Sequence, residues 1–216
     1  DPLRTSKIPL ELKLRIASLM VLLWNSLATR DVRLMEKSLA IDYGTPEDGV
    51  WINYARCHDD IGWGFETEII KSLGMDPEAH KQFMIQFMEG KYPGSFSRGE
   101  LYEFNPETLD ARNSGTMASM CGLEEAVCEK DRYKLELSVK RILLLNSVII
   151  SYTGIPLLYS GDELGQLNWW EYKNDPEIAH DSRWLHRPPM DWDKAEHRDD
   201  QGTVEGIIFN RIKEMI

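Results

Sequence analysis

Three ionisable side chains in a row, His58-Asp59-Asp60, close a short apolar-rich run from Trp51 to Cys57 and open a loop broken by Gly62 and Gly64. Adjacent carboxylates repel, so both stay ionised only with water, a cation, or donors such as His58 and Arg56 close by. That demand marks a site more readily than a plain turn, and one chemistry open to carboxylates beside an imidazole is holding a divalent metal. A second acid pair, Asp162-Glu163, follows the apolar run Leu157-Leu158-Tyr159-Ser160 after Gly161.

Both acid pairs need strands to deliver them. The runs Trp51 to Cys57 and Leu157 to Ser160 are short enough to be buried strands. Ahead of the first, Leu19, Leu22, Leu23, Leu27 and Val32 recur at helical spacing with Arg30, Arg33 and Lys37 outside, which predicts one long helix from about Glu11 to Ala40. Tyr43 to Gly49 is a turn-rich connector. From Asp60 to about Lys130 glycines and prolines are scattered and only Pro77 to Met88 has a helical pattern, so an inserted subdomain or lid is expected there. Asp131 to about Ser151 is strongly apolar and helical, and Gly154-Ile155-Pro156 breaks it before the second strand. Short strands alternating with long helices imply parallel pairing. Acids at both strand ends match the way α/β barrels gather functional groups at the carboxyl ends of their strands. The expected fold is therefore α/β, a fragment of a (β/α)8 TIM barrel.

Composition narrows the function. At 216 residues, with 42% hydrophobic and 10% aromatic content, the chain can bury a sizeable core. A net charge of −11 disfavours a phosphate-binding surface, so nucleic acid is not an expected partner. The sequence holds no apolar run of about 18 residues, so no membrane span is expected, and no charged-then-apolar leader opens it. Cys57, Cys121 and Cys128 form no CxxC pair and are odd in number, which suits reduced thiols in the core of a cytoplasmic protein.

The segment NYARCHDDIGWGF resembles the strand-seven region of glycoside hydrolase family 13, the alpha-amylase family, and GIPLLYSGDELG resembles its strand-eight signature. Within that family the likeness is closest to the amylosucrases. It runs through LLWNSLATR (Leu22 to Arg30), PGSFSRG (Pro93 to Gly99), LDARNSGT (Leu109 to Thr116), DSRWLHRP (Asp181 to Pro188) and AEHRDD (Ala195 to Asp200). The resemblance divides the chain into a barrel helix and strand seven over 1–59, an inserted subdomain over 60–130, and strand eight with the last barrel helices over 131–216.

The resemblance also implies roles. Asp59 corresponds to the family's third catalytic carboxylate, which stabilises the transition state through sugar hydroxyls, and His58 to a residue binding the same glucosyl ring. Asp60 and Arg112 match positions on the fructosyl or acceptor side, and Arg198 matches a further arginine of the substrate pocket. The implied reaction is retaining glucosyl transfer or hydrolysis on sucrose or an alpha-glucan, with no metal or organic cofactor. Trp63 and Phe65 are candidates for an apolar wall against a sugar face.

The family's nucleophile and acid/base carboxylates have no counterpart here. Counting back from His58 places the glutamate just before residue 1, and the beta-domain that follows the family's barrel is absent. The 216 residues alone are thus expected to be inactive, and exposed barrel edges are expected to favour self-association. Each residue also has a structural alternative: Asp59 pairing Arg56, Arg112 as a loop arginine, Arg198 on a solvated charged face, Glu163 supporting the fold, Trp169 and Trp170 packing a loop. Two other functions remain open: a non-catalytic sugar-binding or structural fragment, and a metal-dependent phosphohydrolase with a His-Asp doublet, whose further histidines would lie in helices, whereas His80, His180, His186 and His197 are scattered.

Overall fold

The computed structural model describes the backbone of residues 10–41 and 50–216, and the side chains of these from residue 19 onward. The expected connector Tyr43 to Gly49 lies outside the described residues. The elements are α1 (Leu10–Thr29), α2 (Arg33–Leu39), β1 (Ile52–Asn53), α3 (Thr67–Ser72), α4 (Pro77–Glu89), β2 (Glu100–Tyr102), β3 (Arg112–Ser114), α5 (Met117–Met120), α6 (Leu123–Glu129), α7 (Arg132–Ser151), β4 (Ile155–Pro156), α8 (Trp192–Glu196) and α9 (Val204–Met215). Tight 3-10 turns at Asp162–Leu164, Trp170–Asn174 and Ser182–His186 lie between β4 and α8. The class is mixed α/β, rich in helix, with short strands.

The single helix expected over 11–40 is two. Arg30 takes a left-handed backbone with φ 57°, and the Thr29 hydroxyl donates back to the Asn25 carbonyl at 2.7 Å. Asp31 then accepts the Arg33 amide at 2.9 Å, which starts α2. Polar side chains that bond their own backbone end and start helices in this way, whatever the apolar period says. The expectation for α4 fares better. Pro77 fills its first turn, the Asp76 carboxylate caps the Ala79 amide at 2.8 Å, and Gly90 ends it in the left-handed region.

Residues 60–130 are more regular than their composition suggests, holding α3 to α6 and an antiparallel β2–β3 hairpin in which Tyr102 faces Arg112. Apart from α4 these elements span seven residues at most, too few for a period to show.

β1 and β4 pair in parallel, with Ile52 opposite Ile155 and Asn53 opposite Pro156. Both strands are shorter than expected, and the second begins where a break was foreseen: Leu157 to Ser160 is not strand, although the Leu157 amide still donates to the Asn53 carbonyl at 2.8 Å. Gly154 explains the shift. Its φ is 136°, and a Cβ there would meet the Trp51 carbonyl oxygen at 2.6 Å, so only glycine lets the end of α7 come down against β1. Buried Asn53 ties the same corner by donating to the carbonyls of Tyr152 and Thr153 at 3.1 and 3.2 Å. The strand pair is not buried as parallel strands ordinarily are: Ile52 is 40% and Ile155 52% exposed.

One apolar cluster joins Trp24 of α1, Met84 and Met88 of α4, Met120 of α5, Ile142 and Ile149 of α7 and Ile208 of α9. It draws on all three segments of the chain, so residues 60–130 share their core with the flanking helices. Burying each such side chain contributes roughly 1.5–3 kcal/mol before entropy is counted. The cysteines do not all belong to it. Cys121 is buried, Cys57 is half-buried and Cys128 is exposed, and all are free thiols. No described helix is long and apolar enough to cross a membrane.

Candidate functional site

The segment leaving β1 is anchored before it reaches its acids. The Trp24 indole donates to the Ala55 carbonyl at 2.7 Å. Arg56 is buried, and its Nε donates to both oxygens of Asp162 at 2.8 and 3.0 Å while its guanidinium lies 4.3 Å from the centre of the Tyr159 ring. Burial pushes the Asp162 carboxyl up, Arg56 works against that, and the Met117 amide helps by donating to it. Asp162 is therefore the partner that settles Arg56, and the alternative pairing of Arg56 with Asp59 does not form. Glu163 accepts the Gly161 amide at 2.8 Å, a turn-stabilising role of the kind foreseen for it.

Asp59 is half exposed and faces three donors. Its Oδ1 lies 3.4 Å from Arg183 Nη1 and 3.6 Å from Arg187 Nη2, and its Oδ2 lies 3.6 Å from His58 Nε2. These contacts are longer than good charge-assisted hydrogen bonds, so the carboxylate is oriented without being saturated. Arg183 is itself held by Asp181, with Nε to Oδ1 and Nη2 to Oδ2 both at 2.9 Å, and its guanidinium lies 4.7 Å from the centre of the Tyr102 ring. The side-chain bonds from Arg183 keep the Asp181 carboxyl low.

Asp60 points to the hairpin. Its Oδ2 is 3.4 Å from Arg112 Nη1, which is also 3.5 Å from Glu103 Oε2. The register of this contact comes from a bridge in which Ile61 and Asn113 exchange amide and carbonyl at 2.8 and 3.0 Å. Fully buried Asn113 also accepts from the Trp63 indole at 2.7 Å and donates to the Ile85 carbonyl at 3.2 Å, fixing the hairpin to α4. Burial of the Asp60 carboxyl raises its pKa, with Arg112 opposing the shift.

Asp59, Asp60, Cys57, Trp63, Arg112 and Arg183 line one open cleft of about 570 Å³. Lys81 and Asp110, whose Nζ and Oδ1 are 2.7 Å apart, also line it. The cleft mixes carboxylates, guanidinium groups and an indole, a set with acceptors and donors for several directional polar contacts. Trp63 reaches it with little area, being 4% exposed, and Phe65 instead packs on Trp63 and His80.

The expected residues thus divide. Asp59, Asp60 and Arg112 come together at the cleft, whereas His58 does not line it and meets Asp59 at 3.6 Å. Arg198 does not line it: its Nη1 donates to the Ala195 carbonyl at 2.9 Å, closing the end of α8, and its Nε is 4.0 Å from Asp199. Trp170 packs as a loop residue, donating to Glu124 at 2.7 Å. Arg183 lines the cleft and Arg187 reaches Asp59 at 3.6 Å, and sequence reasoning gave neither of them a role. The signal was there in Asp181-Ser182-Arg183, a spacing at which an acid caps a turn and grips the arginine two residues on. Among the described residues no group of three or more histidine, cysteine or carboxylate side chains is gathered to hold a metal ion. Compared with models of known protein families, the chain matches none.

Proposed function

We propose that this chain is part of a retaining alpha-glucosyl-transferring or hydrolysing enzyme of the alpha-amylase family, amylosucrase-like, acting on sucrose or an alpha-glucan. The observation that carries the reading is the placement of Asp59: half exposed in a polar cleft, just past β1, with a parallel neighbour whose own trailing acid, Asp162, is locked to the same segment. Parallel pairing with acids trailing both strands is what a barrel fragment would have, and the exposure of Ile52, Ile155 and Leu157 suits strands that other strands would flank.

In this role Asp59 exchanges its loose contacts to Arg183 and Arg187 for hydroxyls of the glucosyl ring. Those contacts tighten as the oxocarbenium-like transition state gains positive charge, an effect worth several kcal/mol in glycosidases generally. Asp181 already neutralises Arg183, so one of the two guanidinium charges beside Asp59 is offset. His58 stands at the same ring, while Asp60 and Arg112 face the leaving or accepting sugar. The nucleophile and the acid/base come from outside these residues.

The test is fructose release from sucrose by the longer protein that contains this chain. Asp59→Asn should lower the rate by roughly a hundredfold or more, the usual cost of removing one transition-state stabiliser. A variant as fast as the parent would refute the assignment, and sucrose binding without fructose release by the parent would favour a purely binding role.

A further inference from the structure

The His58–Asp60 turn has no regular secondary structure of its own; the Asp59 amide donates to Cys57 Sγ at 3.5 Å, and His186, 128 residues away, reaches the His58 carbonyl. His186 is 1% exposed. Its Nε2 lies 3.0 Å from the His58 carbonyl oxygen, and its Nδ1 lies 3.2 Å from the Gly115 amide nitrogen. A carbonyl can only accept and an amide N–H can only donate, so both contacts hold at once only for a neutral ring with its hydrogen on Nε2. The imidazolium would set N–H against N–H, and the other neutral tautomer would fail on both sides. The surroundings favour the neutral ring: burial and then Arg56 oppose protonation, outweighing the pull of the His58 carbonyl, while Arg187 and Asp59 act more weakly in opposite directions. Arg56, held by Asp162, also donates to the His186 carbonyl at 3.1 Å, and Arg187 Nε donates to the His58 carbonyl at 2.7 Å. Gly115 directly follows β3, the strand that carries Arg112.

We propose that His186 is a positioning residue of the cleft: as the neutral Nε2–H tautomer it clamps the His58 carbonyl to the end of β3, and so sets where Asp59 stands relative to Arg112. Asparagine at 186 would keep an acceptor near the Nδ1 position, and glutamine a donor near the Nε2 position. The clamp stands on geometry; only its effect on sugar affinity rests on the glucosyl reading above.

The test uses the 216-residue chain. In the wild type, long-range proton–nitrogen spectra of labelled histidine should show His186 neutral with its hydrogen on Nε2 at pH 7. Amide hydrogen exchange at Asp59 and Asp60 should quicken tenfold or more in His186→Asn and stay within about threefold of wild type in His186→Gln. Equal acceleration in both variants, or none in the asparagine variant, would overturn the proposal. So would a protonated or Nδ1–H ring in the wild type, which decides the matter even if neither variant folds. Sucrose titration adds a second reading: affinity should fall in His186→Asn and survive in His186→Gln. Failure of every form to bind sucrose would count against the glucosyl reading, and the exchange data would still decide the clamp.

Discussion

Arg56 and Asp162, 106 residues apart in sequence, form a pair buried to within 2% of full enclosure on both sides, Nε to Oδ1 at 2.8 Å. It joins the segment leaving β1 to the turn that follows β4. Removing one partner leaves the other charge buried and alone, the costly case for ion pairs. Asp162→Asn is expected to destabilise the chain by about 3–5 kcal/mol, read as the shift of the urea unfolding midpoint. The double variant Arg56→Met, Asp162→Leu should recover a large part of that. A single variant costing under about 1 kcal/mol would show the pair to be dispensable.

His186 gives the chain an acid limit. Its pKa lies below the ordinary histidine value, at about 4, because burial and then Arg56 disfavour the charged ring. The unfolded chain therefore binds the proton first as pH falls. Stability is complete above about pH 6.5 and is lost as pH drops towards the folded value, by on the order of 3 kcal/mol for this one group. Unfolding midpoints at pH 7, 5.5 and 4 should show a slope that flattens in His186→Gln. An unchanged slope would assign the acid sensitivity to other groups.

Arg112 is half exposed and holds Asp60 and Glu103 only at 3.4 and 3.5 Å, too long for strong charge-assisted bonds, so its contribution to stability is small; under the proposed function it acts on ligand choice instead. Arg112→Ala should move the unfolding free energy by less than about 1 kcal/mol. Under the proposed function, the same change in an active enzyme that includes this chain should raise KM for sucrose and shift the ratio of transfer to hydrolysis more than it lowers kcat. A variant whose stability collapses while its product ratio stays fixed would place Arg112 in the scaffold.

Arg183 and Arg198 can be separated directly. Arg183→Ala removes the donor between Asp181 and Asp59, whereas Arg198→Ala removes a bond that closes α8. Sucrose binding should weaken in the first by tenfold or more and remain within about twofold in the second. The reverse order would return Arg198 to the site.

Gly154→Ala should cost more than the roughly 1 kcal/mol typical of a point substitution. The new methyl would strike backbone at Trp51 and carry a φ of 136°, two penalties at one residue. Differential scanning calorimetry reads the loss as a lower Tm, and an unchanged Tm would mean that the corner relaxes freely.

How far the sequence carried follows from the range over which each feature is encoded. α4 was legible because its cap, its proline and its terminal glycine all sit within the helix or next to it. The break at Arg30 was not, because it depends on Thr29 and Asp31 bonding to backbone in competition with an apolar stripe that continues across it. Asp59, Asp60 and Arg112 were found through motifs, and the structure adds the bridge from Ile61 to Asn113 that brings them face to face. Arg183, Arg187 and His186 meet the turn from more than 120 residues away, and no local pattern carries such a meeting.

The parallel pairing of β1 with β4 also has a kinetic meaning. Its partners, Ile52 and Ile155, are joined by a chain segment that must close as a loop before the first bond of the ladder forms. Closure costs rise with the logarithm of loop length, by about 0.6 kcal/mol for each doubling, and contacts this distant slow folding. The intervening helices shorten the effective loop only once they have packed on α1 and α7. The cleft, which hangs on that pairing and on Arg56–Asp162, is thus expected to assemble late, and a chain caught early in refolding would have its helices before its cleft.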